Sequence, residues 1–117
     1  MTRDWEVIRD ILSKIEENND NSDFCNELQD ENKESYMYHI ELLIEAEFIK
    51  GKIESSLDLS EVTCDIDRLT WIGHDFLDAI RSDSIWSKTK NILKEKGLGM
   101  SFDIIKKTAI KFAEEMI

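Results

Sequence analysis

Trp5, Ile8, Leu12 and Ile15 recur at three- and four-residue steps, with Ile11 widening the stripe and Arg3, Glu6, Arg9, Asp10, Lys14 and Glu17 lying off it. A period of about 3.6 residues sets such positions on one face, so the pattern predicts an amphipathic helix over about residues 4–17. Asn18-Asn19-Asp20-Asn21-Ser22 follows. Side chains of this kind bond their own backbone and favour turns, which ends the helix. Phe24, Cys25 and Leu28, within residues 23–31, fit a short strand as well as one and a half turns of helix. Met37, Ile40, Ile44 and Phe48, flanked by Tyr36 and Leu43, predict a second helix over about residues 33–47.

The period then changes. From Phe48 to Ile53, and again over Val62, Cys64 and Ile66, apolar and polar residues alternate, with the polar stretch Ser55-Ser56-Leu57-Asp58-Leu59-Ser60 between the runs. Alternation with period two is the signature of a half-buried strand, and the two runs predict a hairpin. Thr70 stands where an N-cap belongs, before Ile72, Phe76 and Ile80 on one face of a third helix. Ser84 is the expected cap of a fourth, carried by Ile85, Thr89, Ile92 and Leu93 and ended by Gly97 and Gly99. Ser101 opens a fifth, with Phe102, Ile105, Ala109, Phe112 and Met116 on one side and Lys106, Lys107, Lys111 and Glu114 on the other.

A helix followed at once by a two-stranded hairpin is the local order of a winged helix-turn-helix, in which the hairpin is the wing. The expected fold is mainly α with a small β-hairpin, a winged helix-turn-helix with additional C-terminal helices. The 117 residues form a single domain over 1–117, large enough to bury one core.

Two segments carry a resemblance. One is Tyr38-His39-Ile40-Glu41-Leu42-Leu43-Ile44-Glu45-Ala46-Glu47-Phe48-Ile49; the other is Leu69-Thr70-Trp71-Ile72-Gly73-His74-Asp75-Phe76-Leu77-Asp78, continuing to Lys90. With Arg3-Asp4 and Ser101-Phe102, they resemble a bacterial and phage family numbered twenty-five thirteen in the domain-of-unknown-function series, over nearly the whole chain. The Leu-Thr-x-x-Gly element is similar to the wing-to-helix junction of winged-helix transcription regulators. The resemblance implies a fold and leaves the activity open. Family members usually read Glu-Ala-Gly-Leu-Ile at the end of the second helix, where glycine takes the left-handed conformation. This chain has Glu47 at that place, which costs on the order of 1 kcal/mol if the conformation is kept.

Chemistry narrows the function classes. His74 and Asp75 are neighbours on a helix and point about 100° apart, so they make no acid–base pair. No serine or cysteine sits in a nucleophile elbow, and the four glycines form no phosphate loop. The chain is read as a non-enzymatic binding domain with no cofactor. Cys25, His39, Cys64 and His74 offer zinc-ligand types at spacings that follow no ligand pattern, so no metal is expected. The cysteines are 39 positions apart and form no CxxC pair, which points to reduced thiols rather than a secreted disulfide framework. No apolar run approaches the roughly 20 residues of a membrane span, and the charged N-terminus makes no signal peptide. A cytoplasmic protein is expected.

Charge divides the binding readings. The formal charge is −11, but residues 1–69 carry 7 basic and 19 acidic groups, a net of −12, whereas residues 70–117 carry 8 and 7, a net of +1. In a DNA-binding, transcription-regulator-like reading, Lys33, Ser35 and Tyr38 face a groove while Lys50 and Lys52 touch phosphates. Glu31, Glu34, Glu41, Glu45, Asp58, Glu61, Asp65 and Asp67 oppose it, because they press carboxylates towards a polyanion. A dimer built on the first and last helices, presenting Lys106, Lys107 and Lys111, is one way round that opposition. The alternative is an acidic protein-interaction module, binding a basic partner or imitating nucleic acid, and the DNA and protein readings both stand at this point. Trp71 and Trp86 are read as core or interface anchors.

Overall fold

The computed structural model describes residues 1–57, 61–97 and 99–115. Asp58, Leu59 and Ser60 of the expected hairpin tip and Met116 of the last stripe lie outside the described residues. The elements run α1 (Trp5–Glu17), α2 (Asp30–Glu45), β1 (Ile49–Ser55), β2 (Val62–Leu69), α3 (Trp71–Ile80), α4 (Asp83–Glu95) and α5 (Phe102–Glu115). The protein is thus mainly helical with one two-stranded antiparallel hairpin, in the order expected from the sequence. The chain divides into two compact units, residues 1–74 and 75–117, with the division falling inside α3.

In the first unit, Asp4 caps α1 by accepting from the amides of Glu6 and Val7. The α1 stripe of Ile8, Ile11, Leu12 and Ile15 is buried, as its period requires. At the other end of α1, the buried Asn21 side chain turns back and donates to the carbonyls of Ile15 and Asn18, at 3.1 and 3.4 Å. It thereby satisfies acceptors that a helix end leaves open. Residues 22–27 form successive turns, neither strand nor regular helix, and bury Phe24 and Cys25. Helix α2 begins three residues before its expected start and buries His39, Ile40 and Leu43. Its N-cap, Gln29, makes no side-chain cap bond.

The hairpin contains a bulge. Lys50 pairs with Arg68 but Gly51 pairs with Ile66, leaving Asp67 as the extra residue. One added residue reverses the in–out alternation, and this is why Ile66 and Leu69, three apart, are both buried along with Cys64. Val62, expected on the inward side, is 41% exposed.

The thiol expectation is corrected. Cys25 and Cys64 are joined as a disulfide with their Cα atoms 5.6 Å apart, inside the range that a cross-link spans without backbone movement. The absence of a CxxC motif is no obstacle, because spatial rather than sequence proximity decides pairing. The bond ties the turns before α2 to β2, and Met37 Sδ lies 3.3 Å from Cys25 Sγ.

In the second unit, Phe76, Leu77, Ile80, Trp86, Thr89, Leu93, Ile105 and Ala109 are buried. Phe76 and Phe102 meet edge to face with centroids 5.0 Å apart. Ser82, not the expected Ser84, caps α4 by accepting from the Ile85 amide. Gly97 ends that helix at φ 66°, and Ser101 opens α5 by accepting from the Ile104 amide. Among the described residues, no helix is long and apolar enough to cross a membrane.

Candidate functional site

Solvent and core divide α2 into two faces of different chemistry. Ile40 and Leu43 are fully buried on one side. Asp30, Glu34, Glu41 and Glu45 are exposed, and at about 100° per residue they fall within an arc of roughly 60° on the opposite side, spread along about 22 Å of helix. Glu31 is exposed beside them. The stripe holds no cation, and the only basic residue of α2, Lys33, is half-buried and lies outside that arc.

This arrangement works against the helix that carries it. Like charges at i,i+4, as in Asp30/Glu34 and Glu41/Glu45, are destabilising by a few tenths of a kcal/mol. Glu41 and Glu45 also lie towards the helix C-terminus, where the backbone dipole favours cations and where the last turn of α2 supplies none.

The residues expected to read a groove lie elsewhere. Ser35 and Tyr38 are half-buried like Lys33. The Tyr38 hydroxyl donates to the Met1 carbonyl at 3.1 Å, and its ring meets His39 edge to face. Lys50 and Lys52 are exposed on β1, and Lys52 pairs with Glu54 at 3.3 Å. The face of α2 that meets solvent is thus made of carboxylates, not of the Lys33–Ser35–Tyr38 set.

His39 is a structural residue. Its Nε2 accepts from the Asp4 amide at 2.8 Å, which fixes Nδ1 as the protonated nitrogen donating to the Ser35 carbonyl at 2.7 Å. Close by, the Tyr36 hydroxyl donates to Asp10 Oδ2 at 2.6 Å, and Lys14 pairs with the same carboxylate at 3.0 Å. Desolvation first, then the hydrogen bond and charge of Asp10, push the Tyr36 phenol up from 10.0 to about 12. A raised phenol favours the folded state below its ordinary value, and that contribution is lost as pH rises through about 12. These contacts fix the roll of α2 against α1 and so hold the acidic stripe outward.

The junction after α2 is equally fixed. Glu47 adopts φ 65°; its amide donates to the Ile44 carbonyl and that of Phe48 to Leu43, the paired bonds of a Schellman ending. The left-handed helix ending expected of a glycine is therefore formed here by a glutamate. Thr70 clamps the hairpin exit: its amide donates to the Phe48 carbonyl at 3.0 Å and its hydroxyl to the Glu47 carbonyl at 2.6 Å. The same hydroxyl accepts from the Gly73 amide at 3.1 Å, capping α3. Gly73 packs so closely that a Cβ there would lie 2.1 Å from the Phe48 carbonyl oxygen.

The remaining residues of the motif divide by role. Leu69, Phe76 and Leu77 are buried, and His74 Nδ1 lies 3.1 Å from Glu16 Oε2 on α1. Asp75 is half-buried, and Asp78 pairs with Arg81 at 2.6 Å. Trp71 is 81% exposed and Ile72 52%. The core reading of Trp71 and the placement of Ile72 on the core face are both corrected: the buried face of α3 begins at Gly73, and the first two residues project from it.

Concavities also lie away from this stripe. One of about 420 Å³ lies between Ser22 and Asn26 and the hairpin residues Glu54, Glu61, Thr63 and Asp65. A groove of about 340 Å³ between α4 and α5 has Ile92, Leu93 and Phe112 as its apolar part, with Lys96, Lys107 and Lys111 around it. Among the described residues, no three His, Cys, Asp or Glu side chains are placed to share a metal ion.

Residues 2–99 match the family model described as Hypothetical protein (DUF2513). The chain is 35% identical over 119 aligned residues to an uncharacterized protein of Haemophilus influenzae, covering 100% of this chain and 99% of that protein. No solved structure matches it. On the family match and the full-length relative together, the chain belongs to the DUF2513 family of hypothetical proteins.

Proposed function

We propose that this protein is a non-enzymatic, winged-helix-like domain that docks on a basic surface of another protein through the acidic face of α2. The single observation that carries the reading is the placement of Asp30, Glu34, Glu41 and Glu45 on one exposed face, opposite the buried Ile40 and Leu43. An outward face that needed only to be wet would be served by mixed charges. This one keeps like charges in register and sets carboxylates at the helix end that disfavours them. Local rules broken without a compensating structural gain are expected at functional sites.

The electrostatics favour a protein partner over DNA. In a winged helix, the helix before the wing enters the major groove. Here that would carry four carboxylates among phosphates whose attraction normally supplies much of the affinity. Against a basic protein the same field speeds encounter and fixes register. Imitation of a nucleic-acid backbone is the form of this reading in which the partner is itself a nucleic-acid-binding protein.

The test is affinity capture from bacterial lysate with two baits, the wild type and a Glu34→Lys/Glu41→Lys/Glu45→Lys variant. The reading expects a basic protein retained by the wild type, released as salt rises, and lost with the variant. Equal capture by both baits contradicts it.

A further inference from the structure

Trp71 and Ile72 open α3 as two adjacent exposed apolar side chains, Trp71 being the more exposed of the pair. They are also rigidly held. The Thr70 clamp fixes the backbone just before them, and the close approach of Gly73 to Phe48 fixes it just after. An exposed tryptophan on a preorganised backbone loses little freedom on binding, and tryptophan is enriched among the residues that dominate protein interfaces. Its setting is acidic: it rises from a unit whose residues 1–74 carry 7 basic and 19 acidic groups. Asp67 and Glu47 are exposed beside the junction, and Arg68 folds its guanidinium back onto the Leu69 carbonyl.

The second unit presents the complementary feature. The groove between α4 and α5 offers Leu93, Ile92 and Phe112 to an apolar side chain and surrounds them with Lys96, Lys107 and Lys111, against one carboxylate, Glu115. Its volume of about 340 Å³ accommodates an indole. Because the groove is open to solvent, an occupant would keep a polar back to water, as an exposed helix turn does and an acyl chain does not. A nucleic-acid backbone would use the lysines and leave the apolar part of the groove unfilled.

We infer that Trp71 and Ile72 of one copy insert into the α4–α5 groove of a second copy, so that the chain self-associates through an acidic-rimmed apolar knob and a lysine-rimmed apolar hole. The apolar face of α2 is already buried in its own unit and cannot serve as that knob. The contact uses neither the α2 stripe nor its partner and stands or falls separately from the docking reading above.

Sedimentation velocity across a range of protein concentrations tests it with three chains: wild type, Trp71→Ala and Lys107→Glu/Lys111→Glu. All substituted side chains are on the surface, and a thermal melt of each variant confirms folding before association is read. The wild type is expected to associate reversibly and more weakly at high salt. Each variant alone should self-associate at least tenfold more weakly. An equimolar mixture of the two variants should regain association, because the intact tryptophan of one meets the intact groove of the other. Wild type that stays monomeric at millimolar concentration overturns the inference. So does association that survives either variant, or a mixture that behaves as the sum of its parts.

Discussion

Helices α2 and α4 end in the same backbone geometry and could hardly be finished more differently. Helix α4 starts on Ser82, whose hydroxyl caps it, has Asp83 in its first turn and Lys94 in its last, and closes on Gly97 at φ 66°. Helix α2 starts on Gln29 with no side-chain cap, has no cation in its last turn, and closes on Glu47 at φ 65°. Each of these four features of α4 lowers the free energy of an isolated helix, against a single carboxylate, Glu95, in its last turn. In α2, only the acidic first turn does so, and the rest is held in place by packing and by contacts from outside. A helix that is poor by itself yet fixed by its surroundings is one whose exposed residues are set by something other than stability. In α2 those residues are the carboxylates.

If that contrast is right, the external restraints on the first unit should be worth more than any local feature of α2. The largest expected effect is therefore at the cross-link. Cys25→Ser/Cys64→Ser opens a loop between residues 39 apart, and chemical denaturation should show a loss of about 3–4 kcal/mol. A loss below about 1 kcal/mol would mean that the hairpin and the turns before α2 are held without it. Next comes the junction. Gly73→Ala places a methyl against the Phe48 carbonyl oxygen, and overpacking of this kind costs about 3 kcal/mol. A neutral outcome would show that α3 moves freely relative to the hairpin exit.

A reciprocal exchange sharpens the comparison more directly. Glu47→Gly should stabilise the protein and Gly97→Ala destabilise it, each by about 1 kcal/mol, because both positions hold the left-handed conformation. No side chain obstructs the second change, since nothing lies near a Cβ at Gly97. Opposite signs in paired thermal melts support equal backbone geometry at the two ends. The smallest effect carries the functional point: Glu41→Lys/Glu45→Lys should raise stability by about 0.5–1 kcal/mol through the dipole and the removal of like-charge repulsion. Unchanged or lowered stability would remove the argument that the stripe is kept at a cost.

The parts of this architecture that rest on period were legible in the sequence. The α1 stripe, the hairpin and the switch to α3 at Thr70 follow from spacing and capping chemistry, and the Glu47 position was readable as a strained helix end. The acidic residues of α2 were visible as an obstacle to DNA, but their concentration on one exposed face needed the buried direction of the helix, which His39, Ile40 and Leu43 define. The disulfide was misread because a cysteine pair 39 residues apart is brought together only by the fold. The bulge at Asp67 was likewise invisible, since one extra residue in a strand looks like ordinary polar sequence. Ile72 was misplaced, and the core alternative for Trp71 failed, because a helix stripe gives no warning that its first turn extends beyond the core.

The account turns on whether the face of α2 repels or accepts a polyanion. The most direct measurement is a low-salt titration of mixed-sequence duplex DNA into the wild type and a Glu34→Gln/Glu41→Gln/Glu45→Gln variant, followed by fluorescence anisotropy. No saturable binding by the wild type is the predicted result. Tight wild-type binding that falls steeply with salt, and that neutralising those glutamates leaves unchanged or weakens, would contradict it.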